Sequence, residues 1–385
     1  MTPGARVQAA IEILDSIAAG LPTEQALTRW ARASRFAGSK DRAAVRDHVF
    51  DVRRQWHSTA ALGGGDTGRA RMIGLCRAQG IDPDDVFTGQ GHAPKELDEA
   101  ERAMGAAPDP QTARDLPDWL WPLFLEGMSL DVADAQAQAL RARAPVDLRV
   151  NLAKCDLETA QAVLARDDLK TQTVALARTA LRVTEGARRV ARSEAYKDGL
   201  VELQDAASQA VIESLPLKPG MRVLDYCAGG GGKALAMAAR VSGPVDVHDA
   251  SPERMASIPE RAGRAGVELR MTQQPKGSYD LVLCDVPCSG SGSWRRSPDG
   301  KWKLTPKELS DIRCVQTDIL RKAAGLTAEG GVLAYATCSI LHCENALQVS
   351  EIKEEIQNLS EVLSRQFLLS DGGDGFFVSV LQKAG

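Results

Sequence analysis

Met221 to Val241 reads MRVLDYCAGGGGKALAMAARV. The apolar run before Asp225 has strand texture, four consecutive glycines follow, and the alanine-rich end has helical spacing. The order is strand, glycine loop, helix. Glycines let backbone approach a ligand closely, and the first turn of the helix offers free N–H groups. The loop is not the dinucleotide pattern GxGxxG. It is not a phosphate-binding GxxxxGK[ST] loop either, since Ala234 follows Lys233.

Downstream the same alternation repeats. PVDVHDA (244–250) reads as a strand and PERMASIPERAGRAG (252–266) as a helix. VELRM (267–271) and YDLVLCD (279–285) read as strands, PKELSDIRCVQTDILRKAAGL (306–326) as a helix, and GVLAYAT (331–337) as a strand. Upstream, QDAASQAVIESLPL (204–217) is a helix. Strands alternating with helices predict a parallel α/β sheet, and such sheets bind ligands beyond the carboxyl ends of their strands. Asp249 ends the second strand, where an acid suits the two hydroxyls of a ribose; the alternative is a cap on the PERM turn.

Two more strand ends carry thiols. DVPCSGSG runs from Asp285 to Gly292, and TCS from Thr337 to Ser339. Either Cys288 or Cys338 alone is compatible with core packing. Together, beside an acid and a nucleoside pocket, they point to catalysis, because exposed strand-end thiols can be activated whereas core thiols are inert. Carbon 5 of cytosine is a poor nucleophile. A thiolate adding to carbon 6 makes carbon 5 an enamine carbon that attacks an electrophilic methyl. An acid hydrogen-bonded to ring nitrogen 3 stabilises the adduct, and a second thiol assists its release.

These runs resemble the RsmB/Sun family of RNA cytosine-5 methyltransferases. The resemblance rests on VLDYCAGGGGK, DASPERM, DLVLCDVPCSGSGSWRRSPDGKW, GGVLAYATCSILHCEN and GGDGFFVSVLQK, in order from about Leu203 to Lys383. It implies a Rossmann-like class I methyltransferase domain using S-adenosyl-L-methionine. It implies Cys338 as nucleophile, Cys288 as the thiol that helps release product, Asp285 as the acid on the cytosine, and Lys233 lining the same site. Ala228, Gly229, Gly230, Gly231, Gly232, Asp249, Arg254 and Asp285 fall on the cofactor pocket. Two positions depart from the family: Gly230 stands where a proline is usual, and no acid lies between Glu268 and Asp280 where an aspartate is expected near the adenine. Thr272 and Gln273 are the substitutes within reach. Cys343 matches no family cysteine and reads as a bystander on a helix face.

Residues 1–130 have helical periodicity throughout and resemble the NusB-like RNA-binding domain of the RsmB branch. Residues 131–202 mix strand texture, as in VDLRVNLAK, with helix, and read as a small α+β subdomain. Residues 203–385 are the methyltransferase domain. Between Arg29 and Arg54 eight basic residues face three acids, in a chain of net charge −4. Arg29, Arg32 and Arg35 recur at helical spacing, so they form either a solvated face or a phosphate-contacting stripe. Arg295 and Arg296 lie in a basic loop between Trp294 and Trp302, which either stack on bases or pack.

The chain is 44% hydrophobic and 25% charged, ordinary for a soluble protein. No apolar run suits a membrane span, the first residues lack a secretory core, and a cytoplasmic monomer is expected. Eight cysteines without a CxxC pair make neither a disulfide scaffold nor a common zinc site. A zinc cluster of Cys284, Cys288, Cys338, His342 and Cys343 is the weaker alternative, and no metal is expected. The expected partner is small-subunit (16S) ribosomal RNA. Competing readings are a tRNA or DNA cytosine methyltransferase, and a non-catalytic RNA-binding assembly factor with a decayed cofactor pocket. Cytosine methylation of DNA uses only the Pro-Cys thiol, so the paired cysteines favour RNA.

Overall fold

The computed structural model describes residues 1–385. The chain divides into two compact units. One comprises Met1–Trp121, Ser129–Arg143 and Trp294–Lys303; the other comprises Pro122–Met128, Ala144–Ser293 and Leu304–Gly385.

The first unit is helical. Its main helices are Pro3–Ala18, Thr23–Ala33, Ser39–Arg54, Trp56–Gly63, Gly68–Ala78 and Leu130–Leu140. Thr2 caps the first through its side chain, with Pro3 at the position where a missing N–H costs nothing. Val7, Ile13, Leu14, Val45, Val49, Val52, Met72 and Ile73 meet in one core.

Residues 294–303 belong to this unit as well. Lys301 Nζ donates to the Arg54 carbonyl at 2.9 Å and Trp302 Nε1 to the Arg53 carbonyl at 2.9 Å. Arg53 pairs with Asp299 at 3.0 Å, and Arg54 donates to the Arg295 carbonyl at 2.7 Å. Trp294 and Arg295 are buried. Of the two readings of Trp294 and Trp302, packing is the one the structure shows, and Arg295, expected to contact RNA, is buried with them in the helical unit; of the two arginines Arg296 alone is exposed.

The second unit holds two sheets. Strands β1 (Val146–Val150), β2 (Lys170–Thr173), β3 (Ala180–Glu185) and β4 (Val201–Leu203) form an antiparallel sheet in the order β2-β3-β1-β4. Strands β5 (Val223–Asp225), β6 (Val245–Val247), β7 (Leu269–Met271), β8 (Tyr279–Asp285), β9 (Thr327–Thr337), β10 (Leu359–Phe367) and β11 (Phe376–Lys383) form the large sheet. Its order is β10-β11-β9-β8-β5-β6-β7. Pairing is parallel from β9 through β7, whereas β11 runs antiparallel to β9 and β10 to β11. The sheet is thus mixed, with an antiparallel hairpin at one edge, and not wholly parallel as its first six elements suggest.

Both faces of this sheet are covered, which is why its central strands are apolar without alternation. Leu281, Leu283, Ala334 and Ala336 pack with Ala210, Val211, Ala234 and Met237 on one side. Val282, Cys284, Leu333 and Tyr335 pack with Leu320, Ala323 and Ile352 on the other. Residues 252–266 are not one helix: a short 3₁₀ turn (Pro252–Met255) precedes Ile258–Ala265. Pro259 sits in the first turn of the second piece, where proline starts a helix but does not continue one. No helix is long and apolar enough to cross a membrane.

Candidate active site

The strand order places the chemistry. Strand β8 lies between β5 and β9, so the loops leaving these three carboxyl ends are neighbours. They deliver, respectively, the PCSG loop after Asp285, the glycine loop after Asp225, and the TCS turn. A cavity of about 410 Å³ opens where they meet. It is lined by Ala228, Gly229, Gly230, Gly232, Lys233, Arg254, Asp285, Cys288 and Cys338, all singled out in the sequence. A second cavity of about 320 Å³ lies elsewhere in the unit, around Val150, Ile212 and Leu235, and is lined by no cysteine.

Gly229 and Gly231 have φ of 50° and 80°, left-handed backbone that glycine adopts freely. They turn the chain from β5 into the helix Gly232–Val241. Gly230 has a local reason. A Cβ there would lie 2.9 Å from Arg261 Nη1, and the Arg261 guanidinium donates to the Gly230 carbonyl. An arginine thus occupies the ground that the family's proline would take.

Lys233 Nζ donates to Asp285 Oδ2 at 2.7 Å and lies 5.0 Å from the Phe376 ring centroid. Burial pulls the ammonium pKa down, but the Asp285 carboxylate outweighs it, so Lys233 is held protonated. The Cys288 and Cys338 sulfurs are 3.3 Å apart. Their proton is shared unequally. The Cys288 hydrogen bond, aided by Lys233 and Ser293, lowers the Cys338 pKa against burial and the charge of Asp285. The same bond, with burial, pushes Cys288 well up. Either sulfur can donate in this bond, and the two directions favour Cys288 as donor and Cys338 as acceptor.

Residues not singled out in the sequence also line the site, among them Asp225, Arg261 and Gln204. Asp225 ends β5, is 1% exposed and lines the cavity. Burial, then the charge of Asp285, pushes its carboxyl up to about 7. Its Oδ1 is buried without a hydrogen-bond partner in the protein, an acceptor left for a ligand. The signal for Asp225 was legible: an acid closing the strand just before the glycines.

Of the two readings of Asp249, the structure displays the turn cap. Its oxygens accept from Gly229 N and Ser251 N, both at 2.9 Å, and Arg254 sits 3.3 Å away. It ties the glycine loop to the SPER turn and does not line the cavity. Thr272 and Gln273 do not line it either; Thr272 instead closes β7 by donating to the Val247 carbonyl at 2.9 Å. Nor does Gly231, which caps the helix. Cys343 is buried in a 3₁₀ turn with its thiol pushed up to about 11 by burial. No three His, Cys, Asp or Glu side chains gather as metal ligands, so of the five residues of the zinc alternative Cys288 and Cys338 meet without forming a ligand set. Arg29, Arg32 and Arg35 are exposed on the helical unit.

Glu344 holds the two cysteine loops together. Fully buried, it accepts from Ser289 N at 2.8 Å, Ser339 Oγ at 2.6 Å and Gln316 Nε2 at 3.1 Å, and also from Ser289 Oγ. Ser289 follows Cys288 and Ser339 follows Cys338. Glu344→Gln presents an amide N–H₂ to these donors. We expect a stability loss of about 1–3 kcal/mol and a fall in kcat of roughly 10²-fold from misplaced thiols. Thermal melts and single-turnover rates check this; a variant with both values unchanged contradicts the role. The close backbone contact beneath the loop gives a second expectation. Gly292 donates to the Cys338 carbonyl at 3.0 Å and accepts from Gly375 N at 2.9 Å, and a Cβ on it would sit 2.0 Å from Gly375 O. Gly292→Ala should cost about 1–3 kcal/mol or more, read by denaturant unfolding.

A mixed seven-stranded sheet with a glycine loop after β5 and the ligand cavity at its carboxyl edge defines a Rossmann-like methyltransferase fold. Residues 212–382 match the family described as 16S rRNA methyltransferase RsmB/F. Curated relatives named ribosomal RNA small subunit methyltransferase B include one from Erwinia tasmaniensis, 28% identical over 66% of this chain and 62% of its own length. One from Serratia proteamaculans is 32% identical over 49% and 48%. A probable one from Bacillus subtilis is 27% identical over 70% and 66%. The chain thus spans about half to two-thirds of the length of these relatives. Among solved structures, PH0851 covers 100% of this chain and 99% of its own at a TM-score of 0.76 and 20% identity. NSun6 from Pyrococcus horikoshii, solved with SFG, covers 70% of this chain and 98% of its own at 0.62 and 16%. At these identities the likeness is one of fold.

Proposed function

We propose that this protein is an S-adenosyl-L-methionine-dependent RNA cytosine-C5 methyltransferase acting on small-subunit ribosomal RNA through a covalent adduct on Cys338. The observation that carries the reading is the thiol pair 3.3 Å apart, beside the Lys233–Asp285 ion pair in one cavity. The cofactor fits this chain's residues: the glycine loop supplies close backbone, and Asp225 Oδ1 is a buried acceptor without a protein partner. Gly229, Gly230, Gly232, Asp225 and Arg254 would hold it. When bound, S-adenosyl-L-methionine supplies the electrophilic methyl group.

The chain's own part is proton and electron management. Cys338 thiolate adds to carbon 6 of cytosine, and the electron pair moves toward nitrogen 3, where the Lys233 ammonium supplies a positive field and, through the Asp285 carboxylate it is bonded to, a proton. After carbon 5 is methylated, its proton must leave and the carbon–sulfur bond must break. Cys288 suits that step. Its proton is held by the Cys338 charge, and that hold ends once Cys338 is a neutral thioether. Cys288 then gives its proton to solvent and, as thiolate, takes the carbon 5 proton. The C5–H pair forms the C5–C6 double bond, the C6–S pair leaves with Cys338 as thiolate, and the nitrogen 3 proton returns to the Asp285–Lys233 pair.

The test is to incubate the protein with labelled S-adenosyl-L-methionine and protein-free small-subunit RNA, then digest to nucleosides. 5-Methylcytidine at one position supports the reading. Label in another nucleoside, or none on RNA or on assembling subunits, overturns it.

A further inference from the structure

Phe36 is the one aromatic side chain of the chain that stands exposed, at 77% of its surface. A single exposed apolar residue is ordinary in itself. Its setting is not. Phe36 lies between the helices Thr23–Ala33 and Ser39–Arg54, in a turn pinned at both ends. Ser34 N donates to the Trp30 carbonyl at 2.8 Å, Ala37 N to the Ser34 carbonyl at 3.0 Å, and Arg42 Nε to the Ala37 carbonyl at 2.9 Å. Ser34 and Ala37 are buried, so the turn has to hold Arg35 and Phe36 outward.

Charge around it is one-sided. From Gln25 to Lys40 there is no acid, and Arg29, Arg32, Arg35 and Lys40 are all exposed. None of the four makes an ion pair, whereas the bordering acids are taken: Glu24 by Arg46 and Asp41 by Arg6. Unpaired cations around a rigidly presented ring match the chemistry of single-stranded nucleic acid, with phosphates on the arginines and an unpaired base on the ring face. An acidic protein surface would use the cations and leave the ring without a purpose.

We propose that Phe36 is a base-stacking platform for a single-stranded segment of the RNA substrate, with Arg29, Arg32, Arg35 and Lys40 binding the flanking phosphates. The proposal rests on the RNA reading above. It is tested with the full chain and a fluorescently labelled single-stranded ten-nucleotide RNA, by anisotropy across a salt series. Phe36→Ala should weaken binding roughly tenfold and leave the salt dependence unchanged, since no phosphate contact is lost. Phe36→Trp should restore it. The double variant Arg32→Glu with Arg35→Glu should weaken binding and flatten the slope of log Kd against log salt by about 1.4. If Phe36→Ala binds like the native chain while the arginine variant does not, stacking is wrong and the RNA reading stands. If neither variant changes binding, the whole surface is wrong. If the native chain binds no RNA, the RNA reading itself fails and takes this one with it.

Discussion

Cys338→Ala is expected to lower methyl transfer by at least about 10⁴-fold while S-adenosyl-L-methionine binds as to the native protein. Of the two thiols in the cavity, Cys338 is the one whose pKa is lowered, and without its addition to carbon 6 carbon 5 is a poor nucleophile. The substitution removes one sulfur from the cavity edge and leaves the glycine loop, Asp225 and the Lys233–Asp285 pair in place. Single-turnover methylation and calorimetric titration separate the two effects. Residual activity near the native level would remove Cys338 from the mechanism. Loss of cofactor binding together with activity would mean that the thiol is structural.

Cys288→Ala is expected to stop turnover at a different point, with protein and RNA joined covalently. The band should survive denaturing electrophoresis, form only with cofactor and RNA present, and vanish in the double variant with Cys338→Ala. A pH effect should accompany it. In the native protein the Cys288 hydrogen bond is the largest influence lowering the Cys338 pKa, so Cys338 ionises below the ordinary thiol range. Removing that donor raises the Cys338 pKa. The acid limb of adduct formation should therefore move to higher pH, measured as the burst rate from pH 6 to 9. A Cys288→Ala protein that turns over freely, or a limb that stays where it was, contradicts the shared-proton arrangement.

Much of this site was legible before any coordinates, for a physical reason. In a doubly wound sheet, function collects at strand ends, and strand ends are marked by glycine, proline and a break in the apolar run. Asp225, Lys233, Asp285, Cys288 and Cys338 all sit at such breaks. Arg295 and the two tryptophans misled because a charged stretch between aromatics looks the same whether it meets RNA or a neighbouring helix; the partners of residues 294–303 are some 240 positions away in sequence. Asp249 sits at the expected strand end and its bond to Ser251 N is the turn cap the spacing allowed, whereas its bond to Gly229 N, 20 residues back, is set by the fold. The hairpin of β10 and β11 was missed for a related reason. LSEVLSRQF exposes most of its length at the sheet edge, so it carries little apolar signal. Glu344, in HCEN just past the TCS turn, was overlooked because a buried carboxylate is betrayed by its donors, and these come from loops and helices far apart in the chain.

The most direct measurement is to trap the adduct on small-subunit RNA carrying 5-fluorocytidine and map the modified peptide by mass spectrometry. Fluorine at carbon 5 cannot leave as a proton does, so the methylated intermediate stays attached to whichever residue attacked. The account predicts one cross-linked nucleotide, carrying one methyl group, on the peptide that contains Cys338. Attachment at Cys288, or methylated RNA released with no adduct at all, would contradict it.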